Sequence, residues 1–319
     1  MPIVAAIGRI LDQILDESFS IWGDGLTRAD YERYNLVQLR TPWGQRRLDR
    51  IALVQGPRVL GSMKRYRFTA RLDGREVSVL GVAAVFTPHE ERRRGYAAQL
   101  ITQVLEEEAA RHTDVALLFS EIGEAYYQQL GFVTIPLDIV TLKVDVKRGG
   151  APAMLVRAGD ERDLPAIAEM NRLRTARARF SLVRDPDLIH FALTRRRLLA
   201  GLGPVGLRQV EFHVVEEGGQ AVAYVVMTVA GETWMIEECG DRDPTAARLG
   251  ALLQVLLARD PSHRHPVIRA WLPDGCLPPQ VSVALRVPAS DPLMIRPIRT
   301  AVDPPLKKEE IAFWHADAF

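Results

Sequence analysis

Cysteine is almost missing: the 319-residue chain has two, Cys239 and Cys276. Two thiols cannot build a disulfide framework, and they suit a reducing compartment, so a cytoplasmic location is expected and the thiols read as ordinary semi-buried side chains. An excess of one charge is missing too. Lys plus Arg is 41 against 40 for Asp plus Glu, and residues 1–150 hold 20 basic and 19 acidic side chains. Neither half has the positive surplus that phosphate-backbone binding needs, which argues against a nucleic-acid partner. Long apolar runs are also lacking. Ala221–Ala230 is about half the roughly 20 residues of a membrane span, and the stretch Ile3–Ile7 lacks a cationic lead and is soon broken by Arg9 and Asp12. No membrane partner and no signal peptide are expected. What is present, 47% hydrophobic and 25% charged residues, is the composition of a globular chain, here long enough for two domains.

The seam falls at Val146–Pro152, where Lys147, Arg148 and the Gly149-Gly150 pair interrupt two structured patterns. It divides the chain into an expected first domain, 1–147, a second, 153–287, and a tail, 288–319, broken by five prolines. In the first domain a helical stripe through Ile7–Leu15 leads to a loop rich in Gly and Trp and a short helix near Arg28–Gln38. Strands Arg50–Gln55, Arg58–Arg71 and Glu76–Thr87 follow as an antiparallel meander with turns at Gly56-Pro57 and Asp73-Gly74. The period then changes. Leu100, Ile101, Val104, Leu105 and Ala109 mark a helix over about 96–111, with Glu106, Glu107 and Glu108 expected to face water. A buried strand Asp114–Ser120, a brief helix Glu124–Leu130 ended by Gly131 and a strand from Phe132 complete it. The second domain repeats the element order: strand Met154–Arg157, a helix through Leu164–Leu173, a hairpin around Glu217-Gly218-Gly219, a strand Thr233–Glu238 and a helix Pro244–Arg259. Arg172, Arg174, Arg177 and Arg179 at the first of those helices read as a solvated, dipole-favoured end or as an anion site. The fold class is α/β (α+β), each domain a mixed, mostly antiparallel sheet flanked by helices.

Chemistry concentrates between Glu76 and Phe132. A strand runs into Pro88-His89-Glu90-Glu91-Arg92-Arg93-Arg94-Gly95-Tyr96-Ala97 and then into a helix. A glycine at a helix N-terminus exposes backbone N–H groups that, with the helix dipole, favour an anion such as a pyrophosphate, and three arginines add charge beside it. Arg92-Arg93-Arg94-Gly95-Tyr96-Ala97 resembles the Q/R-x-x-G-x-G/A acetyl-CoA loop of the GCN5-related N-acetyltransferases (GNAT). Tyr127-Gln128-Gln129-Leu130-Gly131-Phe132 is similar to that family's Y-x-x-x-G-F signature, although the loop from Pro88 to Gly95 is one residue longer than usual.

This resemblance covers about residues 1–145. It implies direct acetyl transfer from acetyl-CoA, as co-substrate, to a primary amine, with no metal. It implies cofactor contacts at Val85, Phe86, Thr87, Arg92, Arg93, Arg94, Gly95, Tyr96 and Ala97, the backbone of Val85 and Thr87 pairing with pantetheine as another strand would. Tyr127 takes the place of the general acid. The proton acceptor stays open between Glu121, bound water and the α-carboxylate of Phe319, while Asp24, Asp30 and Glu32 in the loop and helix after Trp22 offer attraction for a cationic amine. In the second half, Arg157–Pro165 resembles the family's opening strand and helix. The counterpart of the loop is Cys239-Gly240-Asp241-Arg242-Asp243-Pro244, whose aspartates oppose phosphate and whose proline removes a donor, so this copy is expected not to bind acetyl-CoA. An intact copy followed by a degenerate one resembles the enhanced-intracellular-survival acetyltransferases, which modify aminoglycosides, and the yeast-type lysine N6-acetyltransferases. The acceptor class, small-molecule amine, aminoglycoside-like, lysine or polyamine, is left open, as is the oligomeric state. A non-catalytic acyl-CoA-binding regulator is the alternative.

Overall fold

The computed structural model describes residues 1–145, 153–259, 266–273 and 275–319; the seam expected at 146–152 lies outside them. The chain opens with β1 (Ile3–Ala5) and α1 (Arg9–Trp22), which buries Ile14, Leu15 and Ser18 on one face. The Thr27 hydroxyl accepts the Asp30 N–H at 3.1 Å and starts α2 (Arg28–Arg40). Thr41 does the same for α3 (Pro42–Arg47), accepting the Gly44 N–H at 3.0 Å, with Pro42 where no amide is needed. The meander β2 (Leu48–Gln55), β3 (Arg58–Leu72) and β4 (Arg75–Phe86) turns at Gly56 and at Asp73-Gly74, all three with positive φ. On α4 (Tyr96–Ala110), Leu100, Ile101, Val104 and Leu105 pack with Leu53, Leu60 and Leu80 of the sheet. After it come β5 (Val115–Phe119), α5 (Ala125–Gln128) and β6 (Val133–Ile135).

One expectation about α4 is corrected. Glu108 does not face water: it is 2% exposed and accepts from Thr113 Oγ1 at 2.9 Å, with Arg65, Arg67 and Arg111 within 3.5 Å. A carboxylate is tolerated there because three guanidinium groups and a hydroxyl surround it.

The chain continues through β7 (Asp138–Val144), β8 (Val156–Ala158), α6 (Leu164–Thr175), β9 (Phe180–Leu182), α7 (Pro186–Leu202), β10 (Gln209–Glu217) and β11 (Gln220–Ala230). It ends with β12 (Thr233–Asp241), α8 (Ala247–Arg259), β13 (Val267–Ala270), β14 (Val281–Pro288), β15 (Leu293–Pro297) and β16 (Ile311–Ala312). Two compact units result: Met1–Pro136 with Ser290–Lys307 and Phe319, and Leu137–Ala289 with Lys308–Ala318.

The first unit's strands run in the order β1-β2-β3-β4-β5-β15-β6, antiparallel except for β4 beside β5. The second unit's strands run β14-β7-β13-β12-β11-β10-β8, antiparallel except for β12 beside β13. The mixed, mostly antiparallel class expected from the sequence is what forms. The segment limits differ from the expected ones, because two strands join the other sheet. β7 lies within the expected first domain but pairs with β13 and β14 of the second unit. β15 lies in the expected tail, yet it fills the gap between β5 and β6 with Leu293, Met294 and Ile295 buried. Pairing both edges of β15 removes two rows of open backbone groups, a gain a loose proline-rich tail would forgo.

In the second unit the Asp241 carboxylate, 2% exposed, accepts the N–H groups of Leu249 at 2.9 Å and Asp243 at 2.8 Å. An anion from the chain itself thus occupies one first-turn amide of α8, that of Leu249.

Candidate active site

The parallel ladder between β4 and β5 runs from Val79↔Val115 to Gly81↔Leu117 and stops there. Farther along β4, Phe86 faces Ser62 of β3 while Ala83 faces Lys64, so β4 carries one extra residue. The bulge is taken up at Ala84, whose φ is +46°. Beyond Gly81, therefore, β4 turns away from β5, and a cavity of about 500 Å³ opens beside Val82–Thr87.

The N-terminus of α4 forms one wall. Gly95 precedes the helix in the left-handed region at φ +81°, accepts the Gln99 N–H at 2.9 Å, and brings Tyr96, Ala97 and Ala98 to the cavity. Their N–H groups are the ones a helix leaves without an internal acceptor, and no acidic side chain occupies the first turn. Arg92 and Arg93 line the cavity as well, Arg92 held by a 3.3 Å hydrogen bond from its Nε to the Thr87 carbonyl. Arg94 is different. It turns to Glu91, at 3.1 Å, in the 3-10 turn His89–Glu91; that carboxylate is 3% exposed and also pairs with Arg58. The extra length of the loop is therefore folded into this turn, and Glu91 is already neutralised.

The opposite wall comes from α1 and the segment after β5. Ser120 Oγ donates to the Gly123 carbonyl and holds a turn that presents Glu121 and Ile122, with Gly123 at φ +81°. Glu121 Oε2 accepts the indole N–H of Trp22 at 2.9 Å, and Trp22 in turn meets Phe86 edge-on at 6.3 Å. Asp30 and Glu32, expected near an acceptor, serve α2 instead: Asp30 bonds Thr27 and Glu32 pairs with Arg28 at 3.2 Å.

Tyr127 closes the site. Its carbonyl accepts from Leu130 at 3.0 Å and Phe132 at 3.1 Å, and Gly131, at φ +80°, lets the chain double back so that Phe132 packs edge-on against the tyrosine at 6.0 Å. That is the physical content of the Y-x-x-x-G-F spacing. The Tyr127 side chain is 8% exposed and faces the cavity. Burial, with further contributions from Tyr126 and the negative Glu121, pushes its pKa up to about 12, so the phenol holds its proton at neutral pH.

Phe319 also reaches the cavity. Its ring rests over Gly81, where β4 and β5 part, 4.9 Å from Tyr66 and 5.0 Å from Phe68, with Phe119 edge-on at 5.5 Å. The sequence-predicted residues Val85, Phe86, Thr87, Arg92, Arg93, Gly95, Tyr96, Ala97, Glu121, Tyr127 and Phe319 are thus brought together, and Arg94 is held aside. Trp22, which opens the loop expected to meet the acceptor, lines the cavity too, whereas Ile21, Phe119, Ile122 and Tyr126 were not expected there. Only the concentration of apolar side chains at the ends of α1 and β5 signalled them.

Among the described residues, no helix is long and apolar enough to cross a membrane. Residues 9–135 match the family described as an acetyltransferase (GNAT) domain. No curated protein matches the chain. Among solved structures it is similar to a GCN5-related N-acetyltransferase from Kribbella flavida, with 16% identity over 93% of this chain and 72% of that one and a TM-score of 0.67. It is also similar to Eis1 from Mycobacterium abscessus, with 20% identity over 86% and 72% and a TM-score of 0.54. N-myristoyltransferase from Saccharomyces cerevisiae, bound to myristoyl-CoA, is 10% identical over 95% and 83% with a TM-score of 0.56. At these identities the likenesses speak for the fold alone. Residues 9–135 of the chain are thus an acetyltransferase domain of the GNAT family.

Proposed function

We propose that the chain transfers the acetyl group of acetyl-CoA directly to a primary amine, at the cavity of the first unit and with one cofactor per chain. The observation that carries this is the meeting, in one cavity, of the α4 N-terminus behind Gly95, the diverging end of β4 and the protonated Tyr127. The cofactor's pyrophosphate rests on the amides of Tyr96–Ala98 with Arg92 and Arg93 beside it. Its pantetheine arm lies along Val85–Thr87, taking the place of the strand that β5 no longer supplies.

The reaction forms a bond from nitrogen to the acetyl carbon and breaks the bond from that carbon to sulfur. The amine must first lose a proton, and Glu121 attracts the ammonium and receives that proton through water. In a chain that ends at Phe319, the α-carboxylate there is the competing acceptor. Tyr127 donates a hydrogen bond to sulfur as negative charge develops. A phenol near 12 is a weaker acid than a thiol at about 8.5, so it stabilises the thiolate, which takes its proton from solvent while the acylated nitrogen releases its remaining extra proton to solvent. The second unit is read as a degenerate copy without cofactor, because the Asp241 carboxylate sits on the Leu249 amide at the start of α8 and its charge opposes a phosphate there.

Calorimetry with acetyl-CoA, together with thiol release and mass analysis of an amine panel, tests the proposal. Expected are one binding site and an acetylated amine for each thiol released. Tight binding without thiol release under any amine would instead mark a regulatory acyl-CoA binder.

A further inference from the structure

The cofactor half of the cavity is lined by β4, the arginine loop and the start of α4. The other half is made by Ile21, Trp22, Phe119, Glu121, Ile122 and Phe319. Its make-up is unusual for a site that meets a cation. Ile122 is 69% exposed and Ile21 47%, two aliphatic side chains left in water at the rim. Three aromatic rings accompany them: Trp22 is paired with Phe86, and Phe119 stands edge-on to Phe319. A contiguous apolar rim around a polar point marks a place that a ligand's apolar part covers.

One side-chain anion is available to a ligand. The cavity lining includes two side-chain carboxylates, Glu91 and Glu121. Glu91 is buried and already paired with Arg58 and Arg94, which leaves it no capacity for a ligand cation. Glu121 is exposed, and the Trp22 indole fixes one oxygen by a 2.9 Å hydrogen bond. That bond orients the carboxylate while its other oxygen remains for an ammonium group. A ligand with several positive charges would have to set the second of them against Ile21, Ile122 or a ring, without a second side-chain carboxylate partner in the lining. A ligand with one ammonium group and an aromatic or branched apolar arm meets both halves of the surface, the arm stacking on the rings.

We infer that the acceptor is a monocationic primary amine with an aromatic or branched apolar arm, its ammonium held by Glu121 and its arm covered by Trp22, Ile21 and Ile122. This rests on the acyl-transfer reading above and narrows its acceptor. Aminoglycosides and polyamines are then poor substrates, and Trp22 and Ile122 set the specificity.

The test uses the full chain with saturating acetyl-CoA and measures kcat/KM by thiol release for 2-phenylethylamine, isopentylamine, spermidine and kanamycin. Expected is a kcat/KM for phenylethylamine at least about tenfold above those for spermidine and kanamycin. Glu121→Gln should raise the phenylethylamine KM, and Ile122→Glu, a change at an exposed position that leaves the core untouched, should shift the preference toward spermidine by about tenfold. Spermidine or kanamycin matching phenylethylamine in the unmodified enzyme overturns the inference while leaving amine acetylation intact. An unchanged order of substrates in Ile122→Glu overturns the role given to the rim. No thiol release with any amine, in enzyme that binds acetyl-CoA by calorimetry, overturns the transfer reading and this inference with it.

Discussion

A β-carbon on Gly81 would lie 2.8 Å from the ring of Phe319. Carbon atoms do not pack that closely, so the glycine at the last rung of the β4–β5 ladder is what gives the ring its seat. Phe68 approaches the same point, also at 2.8 Å, leaving the ring little freedom to retreat. Gly81→Ala is therefore expected to cost about 1–3 kcal/mol through overpacking and to lower acetyl transfer, because the displaced ring is a wall of the cavity. Thermal unfolding and thiol release check both. In a chain that ends at Phe319, appending Gly-Ser asks a separate question, since the ring stays and only the α-carboxylate moves. A fall in turnover of at least about tenfold, or about 1.4 kcal/mol in the barrier, assigns proton acceptance to that carboxylate; an unchanged rate returns it to Glu121 or water.

Tyr127→Phe should reduce kcat by roughly tenfold or more while acetyl-CoA affinity stays nearly constant, because in the proposed reaction the hydroxyl acts on charge that appears only as the thioester breaks. Phenylalanine fills the same buried space against Phe132, so stability should change little. Equal turnover in the variant, measured where chemistry limits the rate, removes the phenol from the mechanism.

Gly95→Asp should abolish acetyl-CoA binding, whereas Gly95→Ala should only weaken it. A β-carbon at Gly95 meets nothing within 4 Å, so alanine costs only the strain of φ +81°, about 1–2 kcal/mol. Aspartate adds a negative charge at the amides meant for the pyrophosphate. Isothermal titration of both variants distinguishes strain from charge, and identical affinities would deny Gly95 its place beside the phosphates.

Glu237 makes the second unit sensitive to acid. It is 2% exposed and accepts from Thr228 Oγ1 at 2.6 Å, with Arg196 at 3.0 Å and His315 at 2.7 Å. Burial works against the charged form, but Arg196, His315 and Thr228 outweigh it and hold the carboxyl at about 2. Because the folded value is depressed, its stabilisation is complete above the ordinary glutamate range and is lost as pH falls from about 4.5 toward 2. Glu237→Gln should thus cost on the order of 2–3 kcal/mol at pH 7, with the difference from the unmodified protein shrinking below pH 4.5. Urea midpoints at a series of pH values measure it. A constant difference across that range would mean that the carboxylate charge contributes nothing.

The side of the cavity proposed for the cofactor was legible because its elements are local. A strand, an arginine loop with Gly95 and a helix are contiguous, and Tyr127–Phe132 carries its own turn. The acceptor side was not. Trp22 and Glu121 are 99 positions apart and meet only through tertiary packing, and nothing near Phe319 announces a glycine at position 81. Charge misled where periodicity was followed alone: Glu108 continues an acidic run on α4, yet arginines from β3 make it a buried group. Helix α7 escaped notice although Asp185 accepts the Leu188 N–H at 2.7 Å before Pro186, a complete start signal, because Arg195, Arg196 and Arg197 interrupt its apolar pattern. The proline-rich end read as irregular, and only the gap between β5 and β6 gives β15 its form.

That inserted strand also sets a timetable for synthesis. As the chain emerges from the ribosome, β5 has β4 on one side and nothing on the other, and the ladder partner of β6 is β15. Both wait until residue 293 has appeared, long after the whole cofactor loop has been made. During that interval the nascent first unit carries an open sheet edge of buried-type residues, Val115 to Leu118, the kind of edge that chaperones cover and that other chains seek. Nascent chains stalled at residue 285 should therefore be cut by protease near β6 far faster than chains stalled beyond the full length.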